Sequence, residues 1–216
     1  MAGRGPLVDA LPVVRVGPLR LIRDGVVYAG AVAALGLLVG RFLGRVWSLP
    51  FLGLAAFVAA FFRDPDREPP VDPRLLVAPA DGRVTAADDG RISIFLSLFD
   101  VHVNRSPAAG RIVGAEYVPG KFGNAMFAAS ATENERNVVT LDTADGPVVF
   151  TQIAGLLARR IVFTPRVGDH LERGQRVGMI KFGSRTDVLL PPGAELLVAV
   201  GQHVRGGATP IARVGA

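Results

Sequence analysis

The chain has 216 residues, half of them hydrophobic, and a formal charge of +5 carried almost wholly by arginine. The absence of cysteine excludes a disulfide framework, a thiol nucleophile and a thiolate metal site. The three histidines, His102, His170 and His203, do not stand at ligand spacing, so no metal is expected, and no basic run with interleaved aromatics marks a nucleic-acid surface.

Residues 1–24 mix Gly and Pro with Arg4, Arg15, Arg20 and Arg23 and read as a basic cytosolic segment. Two apolar runs follow, Gly25 to Gly40 and Val46 to Phe62, with Arg41 to Arg45 between them. Each falls short of the ~20 apolar residues that cross a bilayer comfortably. Extended back through Phe42 and Leu43, the second approaches that length, with Arg45 snorkelling and Pro50 a point of kinking. Residues 25–62 are therefore expected to be a membrane anchor of two short hydrophobic helices. They cross as a pair or dip into one leaflet; a buried helical hairpin in a soluble core is the alternative. Arginines before the first run and after the second (Arg63, Arg67) predict that both ends, and the domain beyond, lie on the cytoplasmic side of the cell membrane. The basic balance suits an anionic membrane surface.

Residues 63–74, rich in Pro and charge, read as a linker. From 75 to 216, short apolar runs are broken by Gly, Pro and Asp: Arg91–Phe99, Val138–Leu141, Val148–Ile153, Arg160–Phe163, Val177–Phe182 and Leu196–Val200. This predicts a mostly β, mainly antiparallel domain of α+β class, with a short helix over Asn124–Ser130. Val167–Gln175 (VGDHLERGQ) and Val200–Ala208 (VGQHVRGGA) share a V-G-x-x-[LV]-x-x-G scheme. Such paired strand–turn–strand units resemble the halves of the flattened β-barrels, or sandwiches, that carry biotin or lipoate. Lys181, in IKFG, does not sit at a symmetric turn tip, so the fold can be shared without the carrier function.

The bond between Gly183 and Ser184 suits an internal acyl shift, since a glycine lets the hydroxyl approach the preceding carbonyl. Such a serine needs a base, for which His102 and Asp81 are the candidates. Taken singly, each has an ordinary reading: a Gly-Ser turn, a structural histidine, an aspartate in a turn.

Together the motifs say more. VAPADGRV, SIFLSLFDVHVNRSP, GKFGNAMFAAS followed by NER, QIAGLLARRIV and IKFGSRTDVLLP occur in this order, after FFRDPDR. They resemble the short bacterial and archaeal form of phosphatidylserine decarboxylase over about Phe61 to Pro191. The resemblance implies that Ser184 attacks the Gly183 carbonyl, that the ester splits by β-elimination, and that the new terminus becomes a pyruvoyl group. The β chain would be residues 1–183 and the α chain 184–216, joined as a heterodimer, alone or in a higher oligomer. The pyruvoyl cofactor would form a Schiff base with phosphatidylserine and release CO₂ and phosphatidylethanolamine, with no metal.

The long form of the family carries L-G-S-T where this chain has Phe182-Gly183-Ser184-Arg185, and a second histidine three residues after the first. That position is Arg105 here. The expectation is that His102 serves both cutting and decarboxylation, that Asp81 orients it or takes the proton, and that Arg105 holds the substrate's carboxylate or phosphate. Asn104, Lys121, Phe122 and Arg136 (with Asn134, Glu135 and Gly123) are expected to bind substrate or shape its mouth. Arg159 and Arg160 face headgroups or solvent, and His170 and His203 are structural or exposed. Two alternatives stay open: a non-catalytic membrane-tethered barrel adaptor, and a pyruvoyl decarboxylase of another amino-acid lipid such as archaetidylserine.

Overall fold

The computed structural model describes residues 11–17, 19–127, 129–156, 160–181 and 184–215. Expectations placed on Arg4, Arg159, Phe182 and Gly183 fall outside these described residues. Contacts divide the chain into two units, Leu11–Asp66 and a larger one that begins at Arg67.

In the smaller unit, β1 (Val13–Val16) and β2 (Leu19–Ile22) form an antiparallel hairpin, so part of the basic segment is strand. Arg15 stands opposite Arg20, and Arg20 is paired with Asp66. Helix α1 (Arg23–Leu43) is followed by a 3₁₀ turn over Arg45–Ser48 and by α2 (Leu49–Phe61). Gly44, at φ 104°, ends α1, so Phe42 and Leu43 belong to the first helix and not to an extended second one. Pro50 lies in the first turn of α2, where its missing N–H removes no helical bond, and it starts the helix instead of kinking it. The helices pack through small residues: a Cβ on Gly25, Gly36 or Gly40 would press on Phe62, Phe51 or Ser48. At 1.5 Å per residue α1 is about 31 Å long, and it is apolar enough to cross a bilayer, with a mean hydropathy of 1.9. Leu37, Phe42, Leu43 and Trp47 are exposed.

The larger unit is mostly β, as its short apolar runs predict. Its strands are β3 (Leu75–Val77), β4 (Gly82–Asp88), β5 (Arg91–Leu96), β6 (Val103–Arg105) and β7 (Gly110–Val118). After helix α3 (Ser130–Glu133) come β8 (Arg136–Thr143), β9 (Gly146–Ala154), β10 (Ile161–Phe163), β11 (His170–Leu171) and β12 (Arg176–Ile180). The chain closes with β13 (Ser184–Leu189), β14 (Glu195–Leu196), β15 (His203–Val204) and β16 (Pro210–Arg213). A curled eight-stranded antiparallel sheet runs β11-β7-β8-β9-β13-β5-β4-β15. Two three-stranded sheets, β10-β12-β6 and β14-β16-β3, complete the core, where Ile92, Ile94, Phe150 and Val188 meet Leu76, Val177 and Ile211. The helix expected over Asn124–Ser130 is displaced: turns occupy its start, and the helical residues are Ser130–Glu133.

The repeat seen in sequence has a structural counterpart. Strands β11 and β15 are its two copies, and they close opposite edges of the large sheet. Gly168 N donates to Ile112 O and Gly201 N to Val84 O, each at 2.8 Å. Kindred segments lead into the strands they close, Pro107-Ala108-Ala109-Gly110-Arg111-Ile112 into β7 and Pro79-Ala80-Asp81-Gly82-Arg83-Val84 into β4. Both strands also shift register just inside that point. Asp81 in one half thus stands where the other has Ala109.

Candidate active site

Ser184 opens β13, the strand between β5 and β9, with Leu96 and Ala154 as its ladder partners. Side chains alternate along a strand. Ser184, Thr186 and Val188 therefore share the core face with Ile94, Phe150 and Gln152, while Arg185 and Asp187 occupy the other. On that second face Arg185 Nε and Nη2 grip Asp187 Oδ1 and Oδ2 at 2.6 and 2.9 Å, and Nη2 also donates to Ser93 Oγ at 2.8 Å. The two charges neutralise one another, which lets a strand with a polar sequence be buried.

The core face beside Ser184 holds an amide relay. Asn137 Nδ2 donates to Gln152 Oε1 at 3.0 Å, and Gln152 Nε2 donates to Asn104 Oδ1 at 2.8 Å. Gln152 lies beside Thr186 in the ladder. The relay fixes which end of Asn104 is the oxygen and leaves its amide nitrogen as a donor. Asn104 Nδ2, Thr186 Oγ1 and Ser184 Oγ are all buried and make no hydrogen bond among the described residues. Buried polar groups are normally paired, so three such atoms near one strand make this face a candidate site.

His102 is fully buried between β5 and β6. Its Nδ1 bonds to the Asp100 carbonyl at 2.9 Å. A carbonyl only accepts, so Nδ1 carries the proton, and Nε2 is the basic nitrogen of the neutral ring. The His102 carbonyl accepts from Ile180 N at 3.3 Å, which sets the histidine beside β12, the strand that leads toward Ser184. Asp100 itself is held by Ser97 N and Oγ at 2.8 and 2.6 Å on Oδ2 and by His203 Nε2 at 2.9 Å on Oδ1. Burial pushes the Asp100 carboxyl up, but these bonds outweigh it and hold it below the usual carboxylate range.

Asp81 Oδ1 accepts from Gly206 N at 2.7 Å and Oδ2 from Arg67 Nη2 at 2.8 Å. Next to it, Gly82 passes so close to the Phe95 carbonyl that no Cβ fits, and this brings Asp81 to the same end of the sheet as Leu96 and Ser184. Arg105 is buried at the far end of β6, with Nη1 donating to Gly174 O at 3.1 Å. Phe122 packs on Ala154 and Ile180, next to the Ser184 ladder. Lys121 is exposed and paired with Glu133 at 3.2 Å. Arg136 Nη1 donates to Thr132 O at 2.6 Å. Asn134, buried, clamps this segment: Oδ1 accepts from Gly123 N at 3.0 Å, and Nδ2 donates to Gly123 O and Ala154 O at 2.9 and 2.7 Å. Hydrogen bonding to Glu135 pushes the Tyr117 phenol up to about 12. His170 is exposed at the sheet edge, and His203, exposed as well, reaches the Asp100 turn.

Residues 54–212 match the family model for phosphatidylserine decarboxylase. The chain belongs to that family. A phosphatidylserine decarboxylase proenzyme of Solibacter usitatus is 47% identical over 199 residues, covering 90% of this chain and 97% of that one. The proenzyme of Novosphingobium aromaticivorans is 47% identical over 209 residues (86% and 82%), and that of Pelobacter propionicus 43% over 210 (89% and 96%). The chain is thus an enzyme of the phosphatidylserine decarboxylase family, which sets aside the non-catalytic adaptor. Among the described residues no cluster of three His, Asp or Glu could hold a metal ion.

Sequence reading missed Gln152, Asn137, Thr186 and Asp100. Gln152 stands in QIAG and Asp100 in FDVH, so the motifs contained them, but nothing in the spacing predicted the relay or the turn.

Proposed function

We propose that the chain decarboxylates phosphatidylserine to phosphatidylethanolamine, using a pyruvoyl group that it makes from Ser184 by cutting its own Gly183–Ser184 bond. The observation that carries this reading is the buried Ser184 Oγ, without a hydrogen-bond partner among the described residues, at the start of a central strand. In the proposed cut His102 Nε2 takes the Ser184 hydroxyl proton, and Oγ attacks the Gly183 carbonyl. Asn104 Nδ2 donates to the oxyanion that develops there. The Gly183–Ser184 C–N bond breaks as the Ser184 nitrogen takes up the proton, leaving an ester; loss of the Ser184 α-proton expels the Gly183 carboxylate, and water then replaces the nitrogen of the resulting dehydroalanine, which leaves as ammonia. The carbonyl group so formed supplies an electron sink for the carboxylate lost from the serine lipid. Asn104 Nδ2 and Thr186 Oγ1 then face the substrate's carboxylate, and His102 moves the proton at its α-carbon. Asp81, gripped by Arg67 and Gly206, fixes the strand end beside the histidine.

The products of the cut, 1–183 and 184–216, stay together as a heterodimer, since β13 is paired along its length on both sides. Residues 25–62 anchor the enzyme in the cell membrane with its catalytic domain on the cytoplasmic side, which keeps it close to a lipid substrate. Intact mass under denaturing conditions tests the reading. Two chains divided after Gly183, the smaller carrying a ketone, are expected, together with CO₂ release from serine-lipid vesicles. A single chain that stays whole in detergent and lipid would overturn it.

A further inference from the structure

Among the described residues, four large apolar side chains stand exposed around the Ser184 end of the sheet. Phe99 is 76% exposed, Phe127 66%, Leu156 64% and Met126 58%. They lie on three separate segments, and register places all three at one edge. Phe99 follows the end of β5 at Leu96, and Leu156 follows the end of β9 at Ala154; these two end residues are the ladder partners of Ser184. Met126 and Phe127 belong to the segment that Asn134 clamps to Ala154, and the Phe127 carbonyl accepts from Arg185 Nη1 at 3.4 Å. Arg160 is exposed on the same edge and its carbonyl accepts from Lys181 N; the chain's only lysines, half-buried Lys181 and the Lys121 that pairs with Glu133, occur there too.

Exposed apolar side chains grouped round a site mark an interaction surface, and cations beside them select an anionic partner. We propose that this rim docks into the surface of an anionic phospholipid bilayer, so that a serine lipid passes into the site without leaving the membrane. The inference rests on the lipid decarboxylase reading and adds a membrane contact made by the catalytic unit itself. The apolar tips enter the boundary between headgroups and acyl chains, and the cations stay among phosphates.

Fluorescence in the full-length enzyme tests it. With Trp47→Phe as background, Phe99→Trp and Leu156→Trp are made separately and reconstituted into vesicles of phosphatidylcholine and phosphatidylserine. Val167→Trp, at the opposite end of the sheet, is the control. Lipids brominated high on the acyl chain are expected to quench and blue-shift both rim probes and not the control. In a Phe99→Ser/Leu156→Ser variant, turnover of vesicle substrate is expected to fall at least about tenfold. Turnover of a short-chain serine phospholipid kept monomeric, and self-cutting by mass, are expected to hold. Unquenched rim probes, or equal loss on both substrates, overturn the docking surface. A wild-type chain that neither cuts nor releases CO₂ from either substrate overturns the decarboxylase reading instead.

Discussion

Replacing Gln152 by glutamate reverses one hydrogen bond at nearly constant volume. Gln152 Nε2 donates to Asn104 Oδ1 at 2.8 Å, and Asn137 Nδ2 donates to Gln152 Oε1 at 3.0 Å. A carboxylate cannot donate, so in Gln152→Glu the Asn104 side chain turns its amide toward the new carboxylate and points its oxygen into the site. The donor proposed for the oxyanion is then gone, and loss of one such donor slows an acyl transfer by about 10²–10³, or about 2.7–4 kcal/mol. Burial raises the pKa of the new carboxyl, and its protonated form donates to Asn104 Oδ1 as Gln152 does. The defect therefore shrinks as pH falls. The assay is the fraction of cut chain against time, by denaturing mass spectrometry, divided by wild type at each pH from about 5 to 8 so that pH effects common to both chains cancel. A urea midpoint for each variant separates a slow cut from a poorly folded chain. A folded variant that cuts at the wild-type rate at every pH would falsify the role of Asn104. A loss with no pH trend would instead refute the relay as the means by which Asn104 is oriented.

Other parts of the site give sharp outcomes. His102→Ala is expected to leave the chain uncut over hours, with a loss of about 10²–10⁴ in rate; a normal cut removes His102 as the base. Asp100 has a folded pKa below its unfolded value, so it stabilises the fold above about pH 4 and the effect is lost as pH falls through the lower folded value. His203→Ala weakens that hold and is expected to move the acid-unfolding midpoint upward, read by circular dichroism; an unmoved midpoint shows that the His203 bond contributes nothing. Asp187→Leu leaves Arg185 buried without its partner and is expected to cost about 3–5 kcal/mol in urea unfolding, whereas Arg185→Met/Asp187→Leu costs much less. Equal losses would show that the pair itself, not the stranded charge, matters.

The two apolar runs, the barrel-like β unit and its paired repeats were all legible, because each rests on local periodicity or turn chemistry. The break at Gly44 was not, since a glycine ends one helix and is tolerated in another, and here the Ser48 turn packed on Gly40 decides. Strand β13 was hidden for a different reason. Ser184-Arg185-Thr186-Asp187 reads as a polar loop, and only the sheet lets Arg185 and Asp187 meet two residues apart on one face. The histidine was visible as a candidate, but not its tautomer, which depends on the turn that brings the Asp100 carbonyl to Nδ1. Gln152 joins residues 48 and 15 positions away, and no window of sequence contains such a link.

Both halves of the repeat share a scaffold, and the proposed chemistry draws on a position where they differ. Asp81 of one half is Ala109 in the other, and Gly206, whose N–H grips Asp81, corresponds to Arg173. Arg173 does a different task, since it donates to the carbonyls of Pro70, Asp72 and Leu75 and ties the chain before β3 to its turn. One half thus acts as a brace, and the other carries the aspartate proposed for the active end. The position of the proposed cut follows from the same plan. A strand at the edge of a sheet would be held by ladder bonds on one side only after a cut before it. Ser184 instead begins a strand held on both sides, by β5 from Leu96 to Arg91 and by β9 from Ala154 to Val149. The bond before it can be severed while every ladder bond of β13 stays made. The new terminus is then fixed at Leu96 and Ala154, on the face it shares with Thr186 and Gln152.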